Sequence, residues 1–229
     1  SPPAPAGPTT SAELKVGGGA HVTAVGGDVV LGKQMSGNGH LRVVAGGQVT
    51  SDGAAVVGDQ GTGSLIVESG GVATFDGINI GLTAKLLSSL TVEGSGSLLT
   101  SSGPLNVGGS TLSPGGTGVA TVKDGSVLAL THPLLGGTVW GSAVLNVFGG
   151  GRVDLAGALT LRGDLILDGG DVVGGSVLPR SGARIFGTGN LNASILGGTD
   201  TTVSIVADDG PLDKAAATIR PDAFGAHML

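Results

Sequence analysis

The chain has 229 residues with 47 Gly, 10 Pro and no Cys; 40% are hydrophobic, 12% charged and 2% aromatic, and the net charge is −6. That hydrophobic content with so little charge excludes a disordered chain, and glycines without a three-residue period exclude collagen. The acidic balance, with only 11 Lys+Arg, argues against nucleic acid as a partner, and no apolar run is long enough to span a membrane.

The chain opens at Ser1 rather than Met, as a processed or excised piece does, and "SPPAPAGPTT" makes residues 1–13 a Pro-rich linker. From Leu14 a unit recurs: an apolar-x-Val burst, a glycine three residues on, then a second alternating burst. Copies begin at Leu14, Leu41, Leu65, Leu90, Ala120 and Leu145, with valines at Val16, Val43, Val67, Val92, Val122 and Val147. Counting from those valines, the second burst points inward Val22 and Ala24, Val49 and Ser51, Ala73 and Phe75, Leu98 and Thr100, Leu128 and Leu130, and Val153 and Leu155. A third burst closes on glycine at "VVLG" (29–32), "VVG" (56–58), "INIG" (78–81), "LNVG" (105–108) and "LLG" (134–136); the sixth copy, "LTL" (159–161), runs into Arg162 instead.

Short alternation marks half-buried strands, and glycine at the corners permits tight bends. A helical reading fails, because each interior glycine costs about 1 kcal/mol against alanine. Three short strands per unit of about 25 residues make one coil of a solenoid, each strand pairing in parallel about 4.8 Å away with its counterpart one coil on. After Leu161 the register loosens, and "DLILDGGDVVGGSVL", "ARIFGTGNLNASI" and "TTVSIV" predict two or three further coils. The expectation is an all-β, parallel β-helix over 14–206, with about eight or nine coils in a rod roughly 40 Å long. Residues 207–229, with a short helix over "DKAAATI" bounded by Pro211 and Pro221, form a cap or linker.

"GDQGTGSLIVESGGVATFDGINIG" (58–81), "LRVVAGGQVTSDGAAVVG" (41–58) and "LTVEGSGSLLTSSGPLNVG" (90–108) resemble the glycine-rich repeat of autotransporter passengers and PEP-CTERM-associated surface proteins. "SGARIFGTGNLNAS" (181–194) is similar to a terminal passenger coil. The resemblance implies a right-handed β-helix exported to the bacterial cell surface, without catalytic residues.

The pattern carries little chemistry. "GDVVLGKQ" (27–34) lacks the P-loop's hydroxyl after lysine and its following helix. Asp52 and Asp76 each follow their repeat valine by nine residues, so they stack on adjacent coils as a candidate carboxylate pair for a polysaccharide-active enzyme. The competing reading is that each Asp-Gly is a turn and each carboxylate caps it; Val25 and Ser101 flank the pair on the neighbouring coils. "DGGD" (168–171) and "ADDG" (207–210) lack the tandem copies of calcium repeats, and His21, His40, His132 and His227 are scattered, so no metal or cofactor is assigned. Thr23, Thr50 and Thr74 stack outward until Leu99, Ala129 and Asp154 break the ladder. "NAS" (192–194) is a formal glycosylation sequon, and Trp140 fills or caps a core layer.

The reading is a non-enzymatic extracellular stalk, passenger or fibre module. Its unpaired end strands also suit stacking end to end as a homo-oligomer. An adhesin binding glycan or a cell-surface protein along one face is the alternative.

Overall fold

The computed structural model describes residues 10–83, 86–197 and 204–207, the last four only as a strand. Most of the linker at 1–13 and of the cap at 207–229, including its helix, lies outside these residues. The first strand begins at Thr10, ahead of Leu14.

The strands in chain order are β1 Thr10–Val16, β2 His21–Ala24, β3 Val29–Leu31, β4 Gly37–Val43, β5 Gln48–Ser51, β6 Ala54–Val57, β7 Thr62–Glu68, β8 Val72–Phe75 and β9 Gly77–Ile80. They continue with β10 Leu87–Glu93, β11 Leu98–Ser101, β12 Leu105–Val107, β13 Thr117–Lys123, β14 Val127–Leu130 and β15 Leu135–Val139. The last are β16 Val144–Phe148, β17 Arg152–Leu155, β18 Ala158–Leu161, β19 Asp164–Pro179, β20 Arg184–Ile195 and β21 Ser204–Ala207. Among the described residues there is no helix.

Pairing is parallel between each strand and its counterpart one unit on. β1, β4, β7, β10, β13, β16, β19, β20 and β21 form one column. The other two columns run β2–β5–β8–β11–β14–β17 and β3–β6–β9–β12–β15–β18, and both then join β19. The sheet wraps nearly closed around an axis, and inward side chains from all three columns merge into one core.

The register follows from the alternation. Val16 pairs Val43, and the row continues through Val67, Val92, Val122 and Val147. On β7 every second residue is buried, because a pleated strand turns alternate side chains to opposite faces. Leu65, Val67, Ala73, Phe75, Ile78 and Ile80 are all fully buried, and together they fill one layer of the core.

Two inward assignments change. In the fourth unit the buried pair is Leu99 and Ser101, in register with Ala73 and Phe75, not Leu98 and Thr100. The turn from Glu93 to Ser97 holds one residue more than the turn from Glu68 to Gly71, and that residue flips every side chain after it. The threonine ladder therefore continues through Thr100 before Ala129 breaks it. In the fifth unit the third strand enters the core as Gly137-Thr138-Val139, not "LLG". Leu134 and Leu135 stay exposed. The chain takes a wider turn there, in which His132 Nδ1 accepts from the N–H groups of Leu134 and Leu135.

Past Leu161 the units shorten. Leu145, Leu165, Ile185 and Ile205 stack in one row at intervals of 20 residues. With shorter corners, β19 runs through 16 residues and meets all three columns.

Phe75 is the largest fully buried side chain, and its column neighbours Ser51 and Ser101 are small. Their hydroxyls are satisfied by donating to the carbonyls of Gly27 and Gly103. The ring thus fills space that those serines leave open. Phe75→Ala should lose about 3–5 kcal/mol in guanidinium unfolding, whereas Thr74→Ala on the outer face should change stability by about 0.5 kcal/mol or less. A loss below 1 kcal/mol for Phe75→Ala would contradict a close-packed layer.

Candidate functional site

The structure brings Asp52 and Asp76 to adjacent places in one column of turns, two residues beyond the pair Thr50–Thr74. Their carboxylates face different tasks. Both oxygens of Asp52 accept from the Gly26 N–H of the preceding coil, at 2.8 and 3.0 Å. Asp76 Oδ1 accepts from the Ser102 hydroxyl of the following coil at 2.9 Å. Ser102, rather than Ser101, flanks the pair on that side, again because of the extra turn residue.

Asp28 belongs to the same pattern, since its Oδ1 accepts from the Ala54 N–H at 2.8 Å. Each of these carboxylates sits at a turn and reaches one coil away to meet a donor, a main-chain N–H for Asp28 and Asp52 and a serine hydroxyl for Asp76. A retaining glycosidase pair needs one carboxyl free to give a proton and one free to attack. Asp52 instead has both oxygens occupied by main chain. The arrangement ties coil to coil.

Charged side chains do the same on the outer faces. Arg42 Nε meets Glu68 Oε1 at 2.6 Å, Lys123 Nζ meets Glu93 Oε2 at 2.7 Å, and Arg184 grips both oxygens of Asp164. Arg42's hydrogen bond, followed by its charge, holds the Glu68 carboxyl below its ordinary range despite partial burial. Within "DGGD", Asp171 accepts from Asn190 Nδ2 at 2.7 Å. Asn192 of the sequon is exposed on β20, and "ADDG" lies outside the described residues beyond Ala207. Among the described residues no three His, Cys, Asp or Glu side chains converge as a metal site. "GDVVLGKQ" is strand β3 followed by a corner at Gly32.

Trp140 does not fill the core. It occupies the corner slot that Gly32, Gly58, Gly81 and Gly108 hold in earlier units, outside the packed layer. There its Nε1 donates to the Ser110 carbonyl at 2.8 Å, and Arg162 stacks 5.2 Å from the ring centre. The loop from Gly109 to Gly116 that it braces also covers Asn106, whose Nδ2 donates to Asn79 Oδ1 and Thr111 Oγ1. This buried polar row was missed. Its signals were the matching asparagines of "INIG" and "LNVG" and the 30-residue interval between Leu90 and Ala120.

A shallow recess of about 430 Å³ lies at the first coil, between β1 and the turn from β3 to β4. Its charged lining comes from Glu13 and Lys33, with the His40 ring beside them.

No family model matches the chain, and no curated protein matches it. Among solved structures, it is similar to the TibC-catalysed hyper-glycosylated fragment of TibA, at 19% identity over 86% of this chain and 100% of that one. The TM-score is 0.18, too low to equate the two backbones.

The Arg42–Glu68 pair gives a pH dependence of defined sign. Because the folded carboxyl titrates below its unfolded value of about 4.3, its contribution is present above that pH and fades as pH falls through the folded value. Arg42 is exposed, so solvent screens the pair and the contribution is small. Glu68→Gln should lower stability slightly at pH 7 and match wild type in strong acid, in denaturant unfolding followed across pH. An equal deficit at every pH would contradict this linkage.

Proposed function

We propose that the chain is a non-catalytic structural module: a right-handed parallel β-helix of about eight or nine coils, working outside the cell as a surface stalk, passenger or fibre element. The observation that carries this reading is the use of the polar side chains. Asp28, Asp52, Asp76, Glu68, Glu93 and Asp164 all bond a neighbouring coil. A molecule built this way spends its surface chemistry on holding a rod together.

The low aromatic content fits the same role, since a sugar-binding groove is usually lined by aromatic rings that a ligand stacks on. The glycine-rich repeats point to the cell surface through their resemblance to passenger repeats. Contact with other copies goes through the coil ends, where strands lack partners on one side among the described residues.

Antibodies raised against the folded chain should label intact, unpermeabilised cells of the source organism. Labelling that appears only after permeabilisation would overturn the surface assignment.

A further inference from the structure

The first coil presents an open end among the described residues. Among the described residues β1 pairs only with β4, β2 only with β5 and β3 only with β6, so one side of each is a free strand edge. The core shows there too: Leu14 is 48% exposed, and Val22, Val29 and Leu31 are only partly buried. A free edge beside exposed core is a template for another strand. Of the nine residues ahead of β1, four are prolines, which carry no N–H for a ladder.

The sequence of β1, TSAELKV, specifies what fits. The Val16 carbonyl accepts from the Val44 N–H, so Val16 and Leu14 aim their main-chain groups at β4. Alternation then leaves the main-chain groups of Ser11, Glu13 and Lys15 on the free side. Glu13 and Lys15 are exposed, and neither belongs to a salt bridge among the described residues.

A second β1 running antiparallel must place odd residues opposite odd residues, because only those have free main-chain groups. If Leu14 faces Leu14 of the other copy, Glu13 lies opposite Lys15 and Lys15 opposite Glu13. Both pairs then exchange main-chain hydrogen bonds and hold opposite charges. Moving one allowed step either way sets Glu13 against Glu13, or Lys15 against Lys15. One register is therefore attractive and its neighbours are repulsive.

We infer that this end is the interface of a closed, two-fold dimer of the chain, joined head to head through β1. The two-fold axis stands perpendicular to the β1 sheet, so inward side chains remain inward and the two cores become continuous. The same axis brings β2 of one copy against β3 of the other, which covers Val22, Val29 and Leu31. The contact is isologous and closes at two copies, unlike a head-to-tail stack, which grows. The inference rests on the coil geometry and not on where the molecule works, so surface labelling and dimerisation can fail separately.

The test is light-scattering mass across a concentration series, on the full chain and on two exposed charge variants. The wild-type chain of 21.8 kDa should form a reversible species of twice that mass. Glu13→Lys and Lys15→Glu each turn both cross-strand pairs repulsive, and each alone should weaken the dimer about tenfold or more. Mixed in equal amounts they should restore it as a one-to-one heterodimer, since every facing pair is again opposite in charge. Unchanged circular dichroism and thermal melting of the variant monomers separate this result from misfolding. A wild-type monomer at all concentrations, a mass that keeps growing past the dimer, or a mixture no tighter than either variant alone would each overturn the proposal.

Discussion

The close approach of main chain to main chain at the corners sets the conditions for the rest. Where the chain turns from its first to its second strand, it passes over the carbonyl of the repeat valine one coil below. A Cβ at Gly47 would lie 2.2 Å from the Val16 oxygen, at Gly71 2.4 Å from Val43, and at Gly151 2.3 Å from Val122. A Cβ held at such a distance would force the backbone to shift. Removing the Cβ lets consecutive coils approach to the strand spacing of about 4.8 Å, and the ladders, the core rows and the stacked turns all depend on that approach. At Ser126, which stands where other units have glycine, the hydroxyl donates to the Val92 carbonyl at 2.7 Å. Its Cβ is accommodated there, with the hydroxyl returning a hydrogen bond to the carbonyl it approaches.

Once the coils sit that close, the outside of the molecule is largely committed. Turn carboxylates find main-chain donors on the next coil, and charged residues find partners across the ladder. Individually such exposed pairs contribute little. Their collective effect is to hold the stacking register on every face, which suits a rod more than a reaction centre. The exception is the first coil, whose edge groups and charges meet a coil on one side only among the described residues.

Much of this was legible in the chain itself. The valines from Val16 to Val147 mark the true register, because each stands inward just before a corner and stacks on its counterpart one coil on. The Asp52–Asp76 adjacency followed from that register, but the bonds that occupy those carboxylates did not, since their donors are main-chain and serine groups on other coils. The misreadings arose where a turn changed length. One added residue before Leu99 exchanged inside for outside, and the wide turn through His132 moved the third strand of the fifth unit onto Gly137. Periodicity locates strands well, yet it cannot say which turn absorbs an insertion. Trp140 was misplaced for a similar reason: it looks like core by type, but it occupies a corner slot and packs on an outer loop.

The central claim is that close approach, more than backbone conformation, sets the demand for glycine at corners such as Gly71. Adjacent residues separate the two effects. Gly70 has a φ of +82° and nothing within 4 Å of its would-be Cβ, whereas Gly71 has an ordinary φ and a carbonyl at 2.4 Å. Guanidinium unfolding of Gly70→Ala and Gly71→Ala is the direct measurement. Gly70→Ala should lose about 1–2 kcal/mol, the cost of a left-handed alanine. Gly71→Ala should lose at least about 2 kcal/mol more than that, because the stacked coils must separate to admit the methyl group. Equal losses, or a larger loss at Gly70, would contradict the account.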